Sequence, residues 1–384
     1  MGENITLALI GNPLSPHLQR WIRFYSEKGV HVVLFTRYDP TYLYEQSDRI
    51  FKGVEIAQVK FHGNKFTRSM NLKKDLRKKM GEYKPDILHA HYVALYGWWG
   101  YLTGFHPFVM QVWGTDVFKF PTTSMKNYFT VKKILKSADT IIVTNEYTKK
   151  YVYKKFNLKN RNIVINRWGV DLTIFDLPSP EKKRQLRNKW GIPSDNIVFC
   201  SPRHLTKLYQ VDLLTEGFHQ FTKENPDLKV YFLILTGLSR DNEIYNKVVE
   251  KIKISKNISL IEKELNAYEM AEIFQISDAV FSIPIHDQFS SSIQEAMACG
   301  SIPIVSKLPV YGEFLEDEKN ALFLKEVNAQ EIKKSIKRFL NIDENKKAEM
   351  IKYNRNIIEK YFNWEKESEK MLDLYKKCLE NTLY

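Results

Sequence analysis

Short apolar runs alternate with longer amphipathic stretches along most of this chain. The apolar runs predict strands, and the stretches between them, with apolar residues three or four positions apart, predict helices. The first series of predicted strands lies near residues 5–10, 31–36, 53–58, 87–90, 108–113, 140–143 and 163–165. A second series lies near residues 197–201, 230–236, 258–261, 279–283 and 302–305. This alternation predicts parallel sheets, which bind ligands beyond the carboxyl ends of their strands.

The segment between the two series, residues 166–183, carries Gly169, Pro178 and Pro180 and is typical of a domain boundary. A chain of 384 residues also exceeds what one hydrophobic core usually organises. We therefore predict two Rossmann-like α/β domains, the first at residues 1–172 and the second at residues 173–364. Beyond about residue 328 the pattern is helical and charged, with a break around Asn363 and Trp364.

Between Asp86 and Asp116 the chain has no acidic residue, lysine or arginine, and this interval is long enough to span a bilayer. Histidines, glycines and a proline interrupt it, however. They divide it into a strand at 87–90, a helix near 92–102 and a strand at 108–113. The segment is therefore predicted to be a buried βαβ unit.

Basic residues outnumber acidic ones by 58 to 45, and two clusters of them lie in the first half of the chain. The first consists of Lys65, Arg68, Lys73, Lys74, Arg77, Lys78 and Lys79, and the second of Lys149, Lys150, Lys154, Lys155, Lys159 and Arg161. Two interpretations stay open, a solvated helix surface or a face that binds anions. Tyr147, Tyr151, Tyr153 and Phe156 interleave with the second cluster, a mixture that suits the headgroup region of a membrane. No nucleic-acid-binding module accompanies the charge, so nucleic acid is not an expected partner.

The three cysteines, Cys200, Cys299 and Cys378, are widely spaced and form neither a CxxC pair nor a cluster with histidine. This pattern predicts a reduced, cytoplasmic protein without a metal site. The N-terminal residues lead straight into a predicted strand and lack the pattern of a secretion signal.

The most informative segment extends from Ser282 to Glu295. A predicted strand ends at Pro284, a loop follows, and a helix begins at Ser290–Ser292, where serines favour capping. The backbone N–H groups and the dipole at such a helix start favour a bound diphosphate. Asp287 and Glu295 lie on either side of the helix start and could accept hydrogen bonds from ligand hydroxyl groups. A nucleotide sugar has this layout, with a diphosphate between groups that carry hydroxyls. An ordinary loop with surface acids remains the alternative at this point.

The stretch from Asp287 to Glu295, Asp-Gln-Phe-Ser-Ser-Ser-Ile-Gln-Glu, is followed by Ala-Met-Ala-Cys-Gly-Ser-Ile-Pro-Ile-Val. It resembles the donor-site signature of the retaining glycosyltransferase family 4, E-x7-E followed by AMACG-x-P-V. The resemblance implies a GT-B fold, two Rossmann-like domains facing across a cleft, with Glu295 binding the donor ribose and Asp287 the sugar hydroxyls. Asp287 stands where the family has glutamate, which shortens the reach by about 1.5 Å.

Other segments extend the resemblance over nearly the whole chain. Asp86-Ile-Leu-His-Ala-His91 resembles the family strand that ends at the cleft, and Trp113-Gly-Thr-Asp116 resembles its HGSD-like turn, with tryptophan in place of histidine. Gly169-Val-Asp171 with Phe175 is similar to the segment that enters the second domain. Trp364 is similar to the marker before the last helix, which implies that residues from about 365 to 384 pack back on the first domain.

Ser201-Pro-Arg-His-Leu-Thr-Lys207-Leu-Tyr-Gln-Val-Asp-Leu-Leu214 resembles the family stretch whose arginine and lysine bind the diphosphate. It implies Arg203 in that role and Lys207 as a candidate, because the spacing to the lysine is one residue short. The remaining predicted donor-binding residues are Gln288, Phe289, Ser290, Ser291, Ser292, Gly237 and Glu262. The predicted acceptor-binding residues are Gly11, Asn12, His17, His91, Trp113 and Asp116.

The resemblance implies a retaining hexosyltransferase that uses a nucleotide-diphosphate sugar as substrate and needs no metal or other cofactor. The expected acceptor is lipid-linked or saccharide, in polysaccharide, lipopolysaccharide or glycolipid assembly. A basic first domain would then place a cytoplasmic protein on the inner face of the plasma membrane. Two alternatives stay open, a nucleotide-sugar epimerase of the same fold and a non-catalytic protein that binds polyanions.

Overall fold

The computed structural model of the protein describes residues 5–60, 62–64, 67–237 and 239–380. Lys65 of the first basic cluster and residues 381–384 of the predicted last helix lie outside the described residues. The chain divides into two compact units. Unit 1 comprises Met1–Arg167 and Ser368–Tyr384, and unit 2 comprises Trp168–Glu367.

Unit 1 contains a parallel sheet of seven strands in the order β3-β2-β1-β4-β5-β6-β7. The strands are β1 (Thr6–Ile10), β2 (His31–Thr36), β3 (Glu55–Gln58), β4 (Ile87–His91), β5 (Phe108–Gln111), β6 (Thr140–Val143) and β7 (Asn162–Ile165). The helices are α1 (Pro16–Glu27), α2 (Pro40–Phe51), α3 (Arg68–Tyr83), α4 (Trp98–Thr103), α5 (Thr115–Phe118), α6 (Met125–Ser137) and α7 (Glu146–Phe156). Every residue of β4 is buried, as expected for a strand covered on both faces.

Unit 2 contains a parallel sheet of six strands in the order β10-β9-β8-β11-β12-β13. The strands are β8 (Ile197–Ser201), β9 (Val230–Leu235), β10 (Ile258–Ile261), β11 (Ala279–Ser282), β12 (Ile302–Ser306) and β13 (Leu322–Leu324). The helices are α8 (Pro180–Lys189), α9 (Val211–Glu224), α10 (Asn242–Lys253), α11 (Ala267–Ile276), α12 (Ser291–Ala298), α13 (Ala329–Leu340) and α14 (Glu344–Tyr361), and the last helix, α15 (Trp364–Glu380), begins in unit 2 and continues into unit 1. The two predicted α/β sheets are thus confirmed.

Each sheet has a point at which the strand order reverses. In unit 1 the first strand, β1, pairs with β2 on one side and with β4 on the other. In unit 2 the first strand, β8, pairs with β9 on one side and with β11 on the other. Loops after such strands diverge to opposite faces of the sheet and leave a crevice at its carboxyl edge, which is where α/β sheets bind ligands.

Some predicted elements differ from the observed ones. The strand predicted at 108–113 ends at Gln111, so Trp113 lies in the following turn. The helix predicted near 92–102 is divided into a π-helical turn (Val93–Gly97) and α4. The three-residue strand β13 is absent from the sequence prediction, because so short an apolar run does not differ from a loop. In the described part of the chain no helix is both long and apolar enough to cross a membrane.

The beginning of unit 2 is fixed by a backbone contact with its end. Val170 and Asn363 form an isolated parallel bridge, and the Trp364 N–H donates to the Val170 carbonyl at 3.0 Å. Gly169 has φ +67°, and a Cβ there would lie 2.7 Å from Trp364 Cα. Glycine is therefore required at 169, both for the left-handed backbone and for the close approach.

The C-terminal part of α15 that belongs to unit 1 contributes Tyr375 to a buried polar chain. The Tyr375 hydroxyl lies 2.6 Å from His89 Nδ1 and 2.8 Å from the Tyr25 hydroxyl, and both tyrosine side chains are fully buried. Burial raises the pKa of both phenols, so they stay neutral and share protons as hydrogen bonds. These bonds hold residues 368–380 against the sheet of unit 1.

Candidate functional site

The strand reversal of unit 2 brings together the two loops that carry Arg203 and Asp287. β8 ends at Ser201 and its neighbour β11 ends at Ser282, so the following loops begin side by side. Hydrogen bonds join these loops. The Ile285 N–H donates to the Leu208 carbonyl at 2.9 Å, and the Gln210 side chain donates to the Ile283 carbonyl at 2.7 Å.

Arg203 is the most buried cation of this crevice, with 6% of its side chain exposed. One terminal nitrogen lies 3.3 Å from Asp287 Oδ2, and the other donates to the Ser292 hydroxyl at 3.3 Å. The Tyr209 ring lies beneath the guanidinium, 4.2 Å from ring centroid to Cζ. Burial, the largest influence, would lower the pKa of Arg203, but the Asp287 carboxylate, Tyr209 and Tyr311 together outweigh burial and the pKa is raised. The guanidinium therefore stays charged at the crevice.

Asp287 also receives a hydrogen bond from Tyr311. The Tyr311 hydroxyl, on a fully buried side chain, donates to Asp287 Oδ2 at 2.8 Å. Burial, reinforced by the neighbouring carboxylate, raises the pKa of Tyr311 well above its usual range. The phenol is therefore always a donor here. Sequence reasoning did not select Tyr311, which lies in no local motif, or Tyr209, which lies within the Ser201–Leu214 stretch but at none of its specified positions.

The loop before α12 has a fixed, strained backbone. Phe289 has φ +62°, unusual for a residue with a side chain. Its ring is buried and packs against Phe314 and Phe362, with ring centroids at 5.2 and 5.3 Å. Its carbonyl accepts a bond from Gln294 Nε2 at 2.6 Å. These contacts compensate the strain and direct the chain into the helix at Ser291.

The helix start differs from the prediction in one respect. Ser290 is the N-cap of α12, but its side chain makes no capping hydrogen bond to the backbone, so the expected serine cap is wrong. The Ser290 hydroxyl lies 3.2 Å from the Ser292 hydroxyl instead. The first turn contains no acidic residue, and Arg203 contacts it. Positive charge and helix dipole thus coincide at the start of α12, which favours an anion there.

Other predicted donor-site residues lie in unit 2 with different contacts. Glu295 is half-buried on α12 and contributes, after burial, to a raised pKa of Cys299. Gln288 is half-buried, and its N–H donates to Asp287 Oδ1 at 2.9 Å. Ser291 is half-buried in the first turn of α12.

Lys207, Gly237 and Glu262 follow strands β8, β9 and β10. Lys207 is exposed and pairs with Glu243 at 3.0 Å, a partner away from the ion pair of Arg203. Gly237 has φ +64°, and a side chain there would overlap the His204 ring. Glu262 accepts a hydrogen bond from Tyr245 at 2.6 Å. The geometry thus brings Arg203, Asp287 and Ser292 together and gives Lys207 another partner.

In unit 1 the strand reversal brings together four predicted acceptor residues. A Cβ at Gly11 would lie 3.5 Å from His91 Cβ. The rings of His17 and His91 each meet the Trp113 ring edge-on, at 6.0 and 6.1 Å. His91 is buried, and its pKa is lowered to about 3, mainly by burial and to a smaller extent by the nearby His17. This histidine is therefore neutral at physiological pH.

Asn12 and Asp116 stabilise the turns on either side of that group. Asn12 Oδ1 accepts from Leu14 N at 3.2 Å. The buried Asp116 carboxylate accepts N–H bonds from Val93, Trp113 and Gly114 at 2.7–3.1 Å. Burial raises its pKa to about 6, and these N–H bonds oppose the rise. Asp116 thus holds the Trp113 turn in place through backbone contacts.

Among the residues that the structure describes, no three His, Cys, Asp or Glu side chains are grouped so that they could hold a metal ion.

Each unit contains a region that matches a known protein-family model. Residues 6–145 match the model of glycosyl transferase 4-like domains, and residues 182–357 match the model of glycosyl transferases group 1. An uncharacterised glycosyltransferase of Methanocaldococcus jannaschii is 26% identical over 256 residues, which cover 65% of this chain and 60% of that protein. The chain thus matches less than two thirds of that relative's length.

Two solved structures share the fold. A glycosyltransferase from Rickettsia africae superposes with a TM-score of 0.81 at 19% identity, over 99% of this chain and 100% of that one. The Anabaena protein HepE, solved in complex with UDP-glucose, superposes with a TM-score of 0.76 at 15% identity, over 97% of this chain and 100% of that one. The predicted GT-B fold is therefore confirmed, and the chain combines a glycosyl transferase 4-like region at residues 6–145 with a glycosyl transferases group 1 region at residues 182–357.

Proposed function

We propose that the protein transfers a sugar from a nucleotide-diphosphate sugar to a hydroxyl acceptor, with retained anomeric configuration. One observation carries this proposal: Arg203 lies at the start of α12, where its guanidinium contacts Ser292 and a carboxylate approaches from the other side. A diphosphate placed there receives a planar cation and the helix-start N–H groups. Asp287 and Glu295 then supply acceptors for sugar and ribose hydroxyls.

The reaction needs charge neutralisation more than a protein nucleophile. As the bond between sugar and diphosphate breaks, negative charge develops on the diphosphate oxygen. Arg203 and the α12 dipole stabilise that charge, and both are already oriented before the donor arrives. The leaving oxygen takes the acceptor proton on the same face of the sugar, which retains the configuration. No metal or other cofactor takes part in this scheme.

Relatives support the donor class. HepE was solved in complex with UDP-glucose, and its fold superposes over nearly the whole of this chain. We extend that class, a nucleotide-diphosphate hexose, to this protein. The His17, His91 and Trp113 group of unit 1 takes the acceptor, a lipid-linked or saccharide hydroxyl compound of polysaccharide, lipopolysaccharide or glycolipid assembly.

A basic, aromatic surface on α7 supports a membrane location. Lys150, Lys154 and Lys155 are exposed there. Tyr147 and Tyr153 are 36% and 50% exposed on the same helix. The protein therefore docks on the inner face of the plasma membrane through anionic lipid. Sedimentation with vesicles containing anionic lipid should decrease as salt rises, and equal sedimentation with neutral vesicles would contradict this docking.

A thermal-shift screen tests the donor proposal. UDP, GDP, ADP, CMP and their sugars are each added to the protein, and a true ligand raises the unfolding temperature by mass action. We expect one nucleotide series to stabilise the protein, with saccharide acceptors then yielding an α- or β-linked product that matches the donor anomer. Conversion of the donor without acceptor would indicate an epimerase. If no nucleotide raises the unfolding temperature, the result would indicate a protein that binds polyanions without catalysis.

A further inference from the structure

The carboxylate of Asp287 is bound on both oxygens, although its side chain is short. Oδ2 receives the Tyr311 hydroxyl at 2.8 Å and lies 3.3 Å from the Arg203 guanidinium. Oδ1 accepts the backbone N–H of Gln288 at 2.9 Å. Only 11% of the Asp287 side chain is exposed. A carboxylate in such contacts has one orientation rather than several.

Tyr311 belongs to a rigid part of unit 2. It begins a short 3-10 helix (Tyr311–Glu313) that follows β12, the neighbour of β11 in the sheet. Its ring is fully buried and meets the Phe289 ring edge-on, with centroids 6.2 Å apart. The phenol therefore approaches Asp287 from the protein interior, on the side opposite to solvent.

Because the Tyr311 hydroxyl and the Arg203 guanidinium both contact Oδ2, Oδ1 is the oxygen of Asp287 that is available to a ligand. A carboxylate oxygen has about two acceptor positions, and Gln288 N–H occupies one of those on Oδ1. The remaining position on Oδ1 is the one that can accept a ligand hydroxyl. Tyr311 thus decides which oxygen of Asp287 is turned inward and which is presented outward.

We propose that Tyr311 is a positioning and specificity-determining residue of the donor site, which holds Oδ2 of the shortened Asp287 so that Oδ1 meets the donor sugar. This inference rests on the proposed function. Tyr311 acts through Asp287 and does not touch the substrate. A glutamate at 287 would carry its carboxylate about 1.5 Å farther, beyond the place where the Tyr311 hydroxyl holds it, so the phenol is matched to aspartate.

A purely structural role for Tyr311 makes a different prediction. If its hydroxyl only satisfies the core, its loss lowers stability and affects every ligand equally. If it positions Asp287, its loss affects the sugar and spares the nucleotide. The contrast between sugar-bearing and sugar-free ligands therefore separates the two roles.

The experiment compares Tyr311→Phe with wild type and with Tyr25→Phe, a matched loss of a buried, hydrogen-bonded phenol in unit 1. Affinity is measured for the nucleoside diphosphate that stabilises the wild type most, and kcat/KM for its glucose and galactose derivatives. We expect Tyr311→Phe to lower kcat/KM for the preferred sugar by about tenfold to a hundredfold. Tyr311→Phe should also bring the kcat/KM values for the glucose and galactose derivatives closer together, while its affinity for the free nucleoside diphosphate stays within about threefold of wild type. Tyr25→Phe should leave both kcat/KM values and the diphosphate affinity unchanged.

A second arm adds Asp287→Glu alone and together with Tyr311→Phe. The proposal predicts that Tyr311→Phe costs little in activity when glutamate is already present, because the phenol no longer reaches its partner. Equal losses for sugar-bearing and sugar-free ligands, or an unchanged sugar ratio, would overturn the role of Tyr311. Absence of any nucleotide binding by the wild type would instead overturn the proposed function.

Discussion

Replacing Arg203 distinguishes what its ion pair with Asp287 contributes to the stability of the fold from what Arg203 contributes to donor binding. Arg203→Met keeps an unbranched apolar side chain of similar length but removes the charge, leaving the Asp287 carboxylate, 11% exposed, with Tyr311 as its side-chain donor. Breaking one partner of a buried pair costs about 3–5 kcal/mol. Loss of the cation over the Tyr209 ring removes about 0.5–2 kcal/mol of attraction in addition.

A second substitution should restore most of that loss. Asp287→Asn in the Arg203→Met background removes the uncompensated charge, and its amide oxygen can still accept the Tyr311 hydroxyl. Because paired removal of a buried ion pair is often close to neutral, we expect the double variant to regain most of the 3–5 kcal/mol. Differential scanning calorimetry of wild type, both single variants and the double variant measures this recovery.

Donor affinity should not recover with stability. Each charge-assisted bond to phosphate contributes about 1.5–3 kcal/mol, so Arg203→Met and the double variant should each bind the nucleoside diphosphate at least about tenfold more weakly than wild type. Calorimetric titration at a temperature where all variants are folded provides the measurement. A double variant that is folded and binds like wild type would refute the assignment of Arg203 to the diphosphate. A double variant as unstable as Arg203→Met would refute the ion-pair argument.

Three further predictions concern residues away from the donor site. Asp278→Ala should cost about 3–5 kcal/mol of stability, because it removes the carboxylate that lies 2.8 Å from the buried Arg187. Donor affinity should stay unchanged, because Asp278 precedes β11 and so lies at the amino end of the strand, away from the carboxyl edge where the donor binds. Gly169→Ala should lower the unfolding temperature through at least about 1–2 kcal/mol of left-handed strain, plus the contact with Trp364 Cα; an unchanged temperature would contradict the close approach. His91, whose pKa falls from 6.5 to about 3 on folding, contributes stability that is complete above pH 6.5 and decreases as pH falls toward 3, by up to about 1.4 kcal/mol per pH unit. Urea unfolding at several pH values should therefore show a shallower decrease for His91→Gln than for wild type, and parallel curves would contradict the burial of a neutral ring.

The alternation of strands and helices could be predicted from the sequence because it is a local property. Apolar runs such as Ile197–Ser201 are buried on both faces of a parallel sheet, and their composition alone shows this. The strand at Leu322–Leu324 could not be predicted, since three apolar residues at a sheet edge carry no periodic signal. The end of β5 was also misplaced by two residues, because the apolar run continues into the turn that Asp116 holds.

The site residues could likewise be predicted where they belong to a sequence motif, and could not be predicted where only the three-dimensional packing brings them to the site. Arg203 and Asp287 lie 84 positions apart, but each belongs to a recognisable motif, and their placement after neighbouring strands follows from the strand order. Tyr311 lies in no motif, and only the three-dimensional packing shows that its hydroxyl reaches Asp287. The missing cap at Ser290 has the same origin, since the turn at Phe289 rather than capping sets the helix start.

Hydrogen exchange on donor binding tests the central claim most directly, because that claim places a diphosphate on backbone N–H groups at the start of α12. The protein is exchanged with and without the nucleotide sugar that raises its unfolding temperature most, and peptides are resolved by mass spectrometry. The account predicts slower exchange at residues 290–293 and in the loop after β8, with the protection at 290–293 reduced in the Arg203→Met, Asp287→Asn variant. Binding that leaves the start of α12 unprotected, with protection confined to unit 1, would contradict it.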